Sequence, residues 1–167
     1  GAGCVDQPPS LQQKVPVLLY HHLLTEEENT LYKENGSVIS TDEFEWQMKW
    51  LHDNGWQTVS SQELIDFLYE GKALPKKSVL ITFDDGYVDN YSNAFPILQK
   101  YNLKATIFLI PDYVNVYPNY LTWAQAAEMQ RSGRIHFGSH TMNHSVLTEL
   151  SQTELRRQLV DSKQTIE

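Results

Sequence analysis

Two short segments carry side chains whose types and spacing suit hydrolytic chemistry. Thr82-Phe83-Asp84-Asp85-Gly86 sets two carboxylates side by side, ahead of a glycine that permits a sharp turn. Neighbouring residues of an extended chain point in opposite directions, so one carboxylate can bind a metal while the other faces a reacting water. Two like charges this close disfavour joint ionisation unless a cation is present. An Asp-Gly turn whose carboxylates cap backbone donors is the plainer reading of the same five residues. His140-Thr141-Met142-Asn143-His144 places two imidazoles four residues apart. On a helical turn that spacing brings both rings to one side and to one ion. Such a pair is often incidental, but with a carboxylate from another strand end it makes a donor set for catalytic zinc. Imidazole ligands also suit cobalt or nickel, and argue against calcium.

The elements around these segments read as alternating strands and helices. Val15 to Tyr20 is a short buried strand with its proline near the start, and His21-His22 leave its end. Residues 25–37 are polar and acidic and read as a loop. Ser40-x-x-Glu43 and Ser60-x-x-Glu63 are capping boxes that open helices. The first helix carries Phe44, Met48 and Leu51 at helical spacing and stops at Gly55. Trp56 to Val59 and Ser78 to Phe83 are strands, the second so continuously apolar that both of its faces must be covered, as in a parallel sheet. A helix follows over 90–101 with Pro96 near its first turns. Then come a strand over 105–110, a Tyr, Asn and Pro-rich loop over 114–120, and a helix opened by Thr122-x-x-Gln125. A strand at Ile135 to Gly138 precedes a last helix, opened by Ser151-x-x-Glu154 and bearing Leu155, Leu159 and Ile166.

This rhythm fits an open doubly wound sheet or part of a barrel, folds whose chemistry sits at the C-terminal ends of strands. His21-His22, Asp84-Asp85 and His140 to His144 all occupy such ends. No glycine-rich dinucleotide fingerprint or phosphate-binding loop occurs. The 167 residues carry 13 Lys and Arg against 21 Asp and Glu, a net charge of -8, which disfavours a nucleic-acid partner or an acidic membrane. A single cysteine, Cys4, excludes an intrachain disulfide and a Cys-x-x-Cys redox pair.

Taken together, the two motifs resemble those of the polysaccharide deacetylases, also called carbohydrate esterase family 4 or the NodB-homology domain. Thr82 to Gly86 matches the family's Thr-Phe-Asp-Asp-Gly, and His140 to His144 its His-Ser/Thr-x-x-His. Val15 to His22 looks like the first strand of the branch that holds the biofilm poly-N-acetylglucosamine deacetylases. The resemblance extends over residues 15–167, with residues 1–14 left as a polar tail. It implies a distorted (β/α)7 barrel of which this chain carries the N-terminal part, so that the deacetylase domain is C-terminally incomplete. It also implies Asp84 as general base and Asp85, His140 and His144 as ligands of a divalent metal, zinc first. The activity implied is hydrolysis of N-acetyl groups on an N-acetylglucosamine polysaccharide, with release of acetate. Thr141 and Asn143 would orient the metal loop, although Asn143 equally suits a simple turn. His21 and His22 would lie beside the site and contact substrate or Asp84, unless they are structural.

The family's later segments, among them its Leu-x-His acid, have no match here. The expectation is therefore a chain that needs a longer parent or a companion fragment to complete the barrel and to work fast. Gly1-Ala2-Gly3-Cys4 resembles the end of a bacterial lipoprotein signal, which implies a lipid anchor through Cys4 and an extracellular or cell-surface location; an incidental thiol on a tail is the alternative. Two other functions use the same features: an O-acetyl esterase acting on a glycan, and a non-catalytic cell-surface glycan-binding module.

Overall fold

The computed structural model describes residues 13–32 and 37–139. Cys4, the motif His140 to His144 and the expected final helix lie outside the described residues.

The core of the fold is a sheet of parallel strands in the order β1-β5-β6-β7, formed by Val17–Tyr20, Ser78–Asp85, Ala105–Leu109 and Ile135–Ser139. β4, Gln57–Thr58, adds a short pairing at the start of β5. β2, His22–Leu24, pairs in parallel with β3, Val38–Ser40, as a separate ribbon. Helices α1 (Glu26–Tyr32), α2 (Thr41–Asp53), α3 (Ser61–Glu70), α4 (Phe95–Lys100) and α5 (Trp123–Arg131) fill the connections. The fold is thus mixed α/β with an all-parallel sheet, as the apolar runs of β5 and β6 require.

One face of the sheet carries Tyr20, Ile81, Phe83, Ile107, Leu109 and Phe137, all buried. Against it pack Phe44, Met48 and Leu51 of α2, Phe95 and Leu98 of α4, and Ala126 and Met129 of α5. The helical spacing of Phe44, Met48 and Leu51 is the reason α2 docks by that stripe. Each such side chain contributes about 1.5–3 kcal/mol by leaving water. The opposite face carries Val17 and Leu19 of β1, in register with Leu80 and Thr82 of β5. Asp84 continues that row, in register with Phe108 and Gly138. Leu80 on this face packs against Val59, Leu64 and Phe67, so α3 closes its lower end. Val17 and Leu19 remain exposed.

The capping signals hold in full at two of the three described sites. Ser60 and Glu63 exchange both capping bonds, as do Thr122 and Gln125. Ser40 accepts the Glu43 N–H at 3.1 Å, but the Glu43 carboxylate takes the Gln47 amide instead of returning the bond. Three expectations need correction. Residues 26–32, read as loop, form α1, because Thr25 and Glu28 make a capping box of their own at 3.0 and 3.1 Å. The helix expected over 90–101 opens as a π-turn, Asn90–Ala94, before α4 begins. Pro96 has no N–H to return to the preceding turn, and the Phe95 N–H reaches five residues back to the Asn90 carbonyl. The strand expected over 56–59 keeps only two paired residues.

Candidate active site

The two carboxylates of the Asp-Asp pair sit in different backbone states. Asp84 is the last inward-facing residue of β5 and is only 4% exposed. Asp85 still pairs with Leu109, yet its φ is +81°, followed by +73° at Gly86. Two consecutive left-handed residues end the strand and turn the chain outward. Aspartate tolerates that region because its short polar side chain bonds locally, and glycine because it has no Cβ. Simple strand alternation therefore does not set the direction of Asp85; the left-handed turn does. Backbone strain of this kind is concentrated at functional sites.

Tyr87 seals the far side of the turn. Its hydroxyl hydrogen-bonds Asp85 and Tyr120, and burial, followed by the Asp85 charge, pushes its pKa far above the ordinary phenol value. The Leu121 N–H donates to the Gly86 carbonyl at 3.0 Å and the Val88 N–H to the Asn119 carbonyl at 2.9 Å, which ties the tyrosine-rich loop to the turn. In that loop Tyr113 and Tyr120 meet edge to face at 4.9 Å, and Tyr113 and Tyr117 at 5.2 Å. Tyr117 is half exposed, so the cluster offers aromatic surface beside the carboxylates.

The two expected histidines have different surroundings. His21 continues the inward row of β1, and its Nε2 lies 3.8 Å from Asp84 Oδ2. His22 turns away: its Nδ1 meets Asp89 Oδ2 at 2.6 Å and its ring stacks on Tyr87 at 3.5 Å. A carboxylate only accepts, so Nδ1 carries the proton of that bond. Asp89 is buried, and its Oδ1 takes the Leu23 N–H at 2.9 Å. Asp89 belongs to neither motif of the sequence. Its signal was a carboxylate three residues past the Asp-Asp-Gly turn, where the next helix opens. His22 and Asp89 also line a cleft of about 80 Å³ with Glu28, Ser92 and Asn119.

Of the expected metal ligands only Asp85 is described; His140, His144, Thr141 and Asn143 lie outside the described residues. Among the described residues no group of three or more His, Cys, Asp or Glu is arranged to hold an ion. The sheet nevertheless sets Asp85 in one row with the residue that precedes the second motif. Asp85 is in register with Leu109 and Leu109 with Ser139, the residue directly before His140. Two strand spacings separate that row's ends, about 10 Å.

The family model for polysaccharide deacetylases matches residues 71–167. The chain belongs to the polysaccharide deacetylase family. This deacetylase-family chain is 41% identical over 150 residues to the Bacillus subtilis protein YxkH, provisionally named a polysaccharide deacetylase, covering 90% of this chain and 50% of that protein. It is 34% identical to the poly-beta-1,6-N-acetyl-D-glucosamine N-deacetylase of Staphylococcus epidermidis, over 77% of this chain and 44% of that one. The Streptococcus pyogenes deacetylase solved in complex with acetate superposes with a TM-score of 0.67 at 31% identity, over 75% of this chain and 55% of that one. The family chain therefore spans about half the length of the curated relatives it matches. The sheet described above is the N-terminal part of the NodB-type fold these deacetylases share.

Proposed function

We propose that the protein is a metal-dependent N-deacetylase of an N-acetylglucosamine polysaccharide, in which Asp84 is the general base. The observation that carries this reading is the burial of the Asp84 carboxylate at the end of β5, with His21 Nε2 3.8 Å away on the same face. A water proton moves to Asp84 as the water oxygen bonds to the acetamide carbon. When the carbon–nitrogen bond breaks, the departing sugar nitrogen needs a proton. His21 is placed to give it, because His22 already donates to Asp89.

One carboxylate from Asp85 and two imidazoles from His140 and His144 form a donor set that suits zinc, with cobalt or nickel as substitutes. The fit is supported by Asp85 ending its strand level with Ser139. When bound, such an ion supplies Lewis acidity to water and to the acyl oxygen. Tyr113, Tyr117 and Tyr120 offer aromatic faces and a rim on which the polymer can lie. Thr141 and Asn143 would steady the metal loop.

The whole enzyme acts outside the cell or on its surface, as suits a polymeric glycan, and Cys4 would carry a lipid anchor. Among the described residues no helix is long and apolar enough to cross a membrane. Exposed Val17 and Leu19 on the inner face support completion of the barrel by further chain or by a companion fragment.

The test is acetate release from N-acetylglucosamine oligomers by the full-length protein, with zinc and with chelator, alongside zinc calorimetry of two variants. Asp84→Asn should lose most activity and keep zinc affinity, while Asp85→Asn should lose zinc affinity. Equal loss of affinity in both would overturn the division of roles. Release of acetate from O-acetylated glycans alone would make the protein an esterase instead.

A further inference from the structure

His21 is held in an unusual way. Its ring makes no hydrogen bond to a described residue, and 3.8 Å to Asp84 is too long for one. The ring's position therefore depends on the backbone that carries it. That backbone is gripped by the start of the helix that follows the Asp-Asp-Gly turn. Asn90 Nδ2 donates to the His21 carbonyl at 3.0 Å. Asp89 Oδ1 accepts the Leu23 N–H at 2.9 Å and Oδ2 binds His22 at 2.6 Å. Asn93 Nδ2 donates to the Leu23 carbonyl at 2.7 Å. Asn90 and Asn93 belong to the π-turn, whose wider winding lies against β2.

Asn90 shows what the grip costs. It is 1% exposed, and its Oδ1 has no hydrogen-bond partner among the described residues. An unmatched buried carbonyl is costly to keep. Against that, its Nδ2 makes two bonds, to the His21 carbonyl and to Asp89 Oδ1 at 3.1 Å. Asp89 is likewise buried, with both carboxylate oxygens in use.

We propose that Asp89 and Asn90 are positioning residues for deacetylation: Asn90 holds the His21 carbonyl and Asp89 the two residues that follow, so that the His21 imidazole stays beside Asp84. This rests on the reading of His21 as the proton donor. The clamp joins the two sides of the site, since Asp89 follows the Asp84-Asp85-Gly86 turn by three residues and grips His22 and Leu23 at the start of β2. A reacting group displaced by about 1 Å loses on the order of 100-fold in rate.

The experiment is a mutant cycle in the full-length protein, with zinc and N-acetylglucosamine oligomers, normalised to folded protein by circular dichroism. Asp89→Ala should lower kcat by roughly 10- to 100-fold while KM stays within about twofold, because both residues are buried and act through the backbone around His21. Asp89→Asn, which can still accept the Leu23 N–H, should recover part of the loss. His21→Ala should be slow by itself, and adding Asp89→Ala or Asn90→Ala to it should cause no further loss beyond about threefold. If Asp89→Ala does not fold, Asn90→Ala carries the cycle alone. Losses that multiply in the double variants, or Asp89→Ala and Asn90→Ala both as fast as the parent, would overturn the clamp. An unimpaired His21→Ala would instead remove the proton-donor assignment, and the clamp with it, while leaving Asp84 as base.

Discussion

Replacing Gly86 by alanine would place a Cβ 2.7 Å from Leu109 Cδ2, on a backbone held at φ +73°. Two costs follow. An L-residue in the left-handed region costs roughly 1–2 kcal/mol. The contact adds an overpacking penalty of about 1–3 kcal/mol, and the buried Leu109 side chain has little room to withdraw. Gly55 and Gly71 separate the two effects, because their φ values are +75° and +69° but a Cβ at either would meet nothing within 4 Å. Alanine at those positions should cost only the conformational part. Urea unfolding of the three variants, with unchanged slopes, reads the difference from the midpoints. Gly86→Ala should be less stable than Gly55→Ala by at least about 1 kcal/mol, and Leu109→Val in the same chain should relieve part of that excess. Equal destabilisation at Gly86 and Gly55, within about 0.5 kcal/mol, would refute the reasoning, because the measured contact would then carry no energy.

Other outcomes follow from single residues. Burial, with the Glu43 charge adding to it, lifts the Tyr20 phenol from 10.0 to about 12, so the folded chain keeps a proton that the unfolded chain loses. Stability should hold below pH 10 and fall between pH 10 and 12, and Tyr20→Phe should flatten that fall in urea titrations at fixed pH steps. Thr25→Ala removes the cap of α1 and should cost about 1 kcal/mol by thermal or urea unfolding; no change would mean that α1 does not depend on its cap. The Thr106 hydroxyl is fully buried without a partner among the described residues. Thr106→Val should therefore stabilise the chain by about 1 kcal/mol, and a loss of stability would reveal a partner for that hydroxyl.

Much of the fold was legible because local signals and burial agreed. The continuous apolar runs of β5 and β6 announced a sheet covered on both faces, and Phe44, Met48 and Leu51 announced the docking stripe of α2. What escaped was set by contacts distant in sequence or by backbone states without a unique spelling. The acidic composition of residues 26–32 masked α1, although Thr25-x-x-Glu28 spelled its cap. His21 and His22 were equivalent in sequence. The fold separates them: Asp89, 67 residues from His22, and Tyr87 take one ring, while the other faces Asp84. The π-turn arises where Pro96 interrupts the helical bonding, and composition alone does not say which widened turn results.

The Asp-Asp pair shows where strand alternation stops accounting for a motif. Alternation along a strand explains Asp84, which lies in the inward row with Leu80 and Thr82. It does not explain Asp85, whose φ of +81° takes it out of extended geometry. The two carboxylates can differ in role because the strand ends at Asp85 in a left-handed turn that Gly86 continues. This has a consequence for mutagenesis. Asparagine enters the left-handed region nearly as easily as aspartate, so Asp85→Asn removes charge and leaves the turn intact. Alanine adds about 1–2 kcal/mol of backbone cost, and valine more, so those variants confound loss of a ligand with loss of the turn that also places Asp84 and Tyr87. Zinc calorimetry and stability should therefore separate cleanly in Asp85→Asn and fall together in Asp85→Val. If the two variants lost stability equally, the left-handed turn at Asp85 would not be the element that divides the carboxylates.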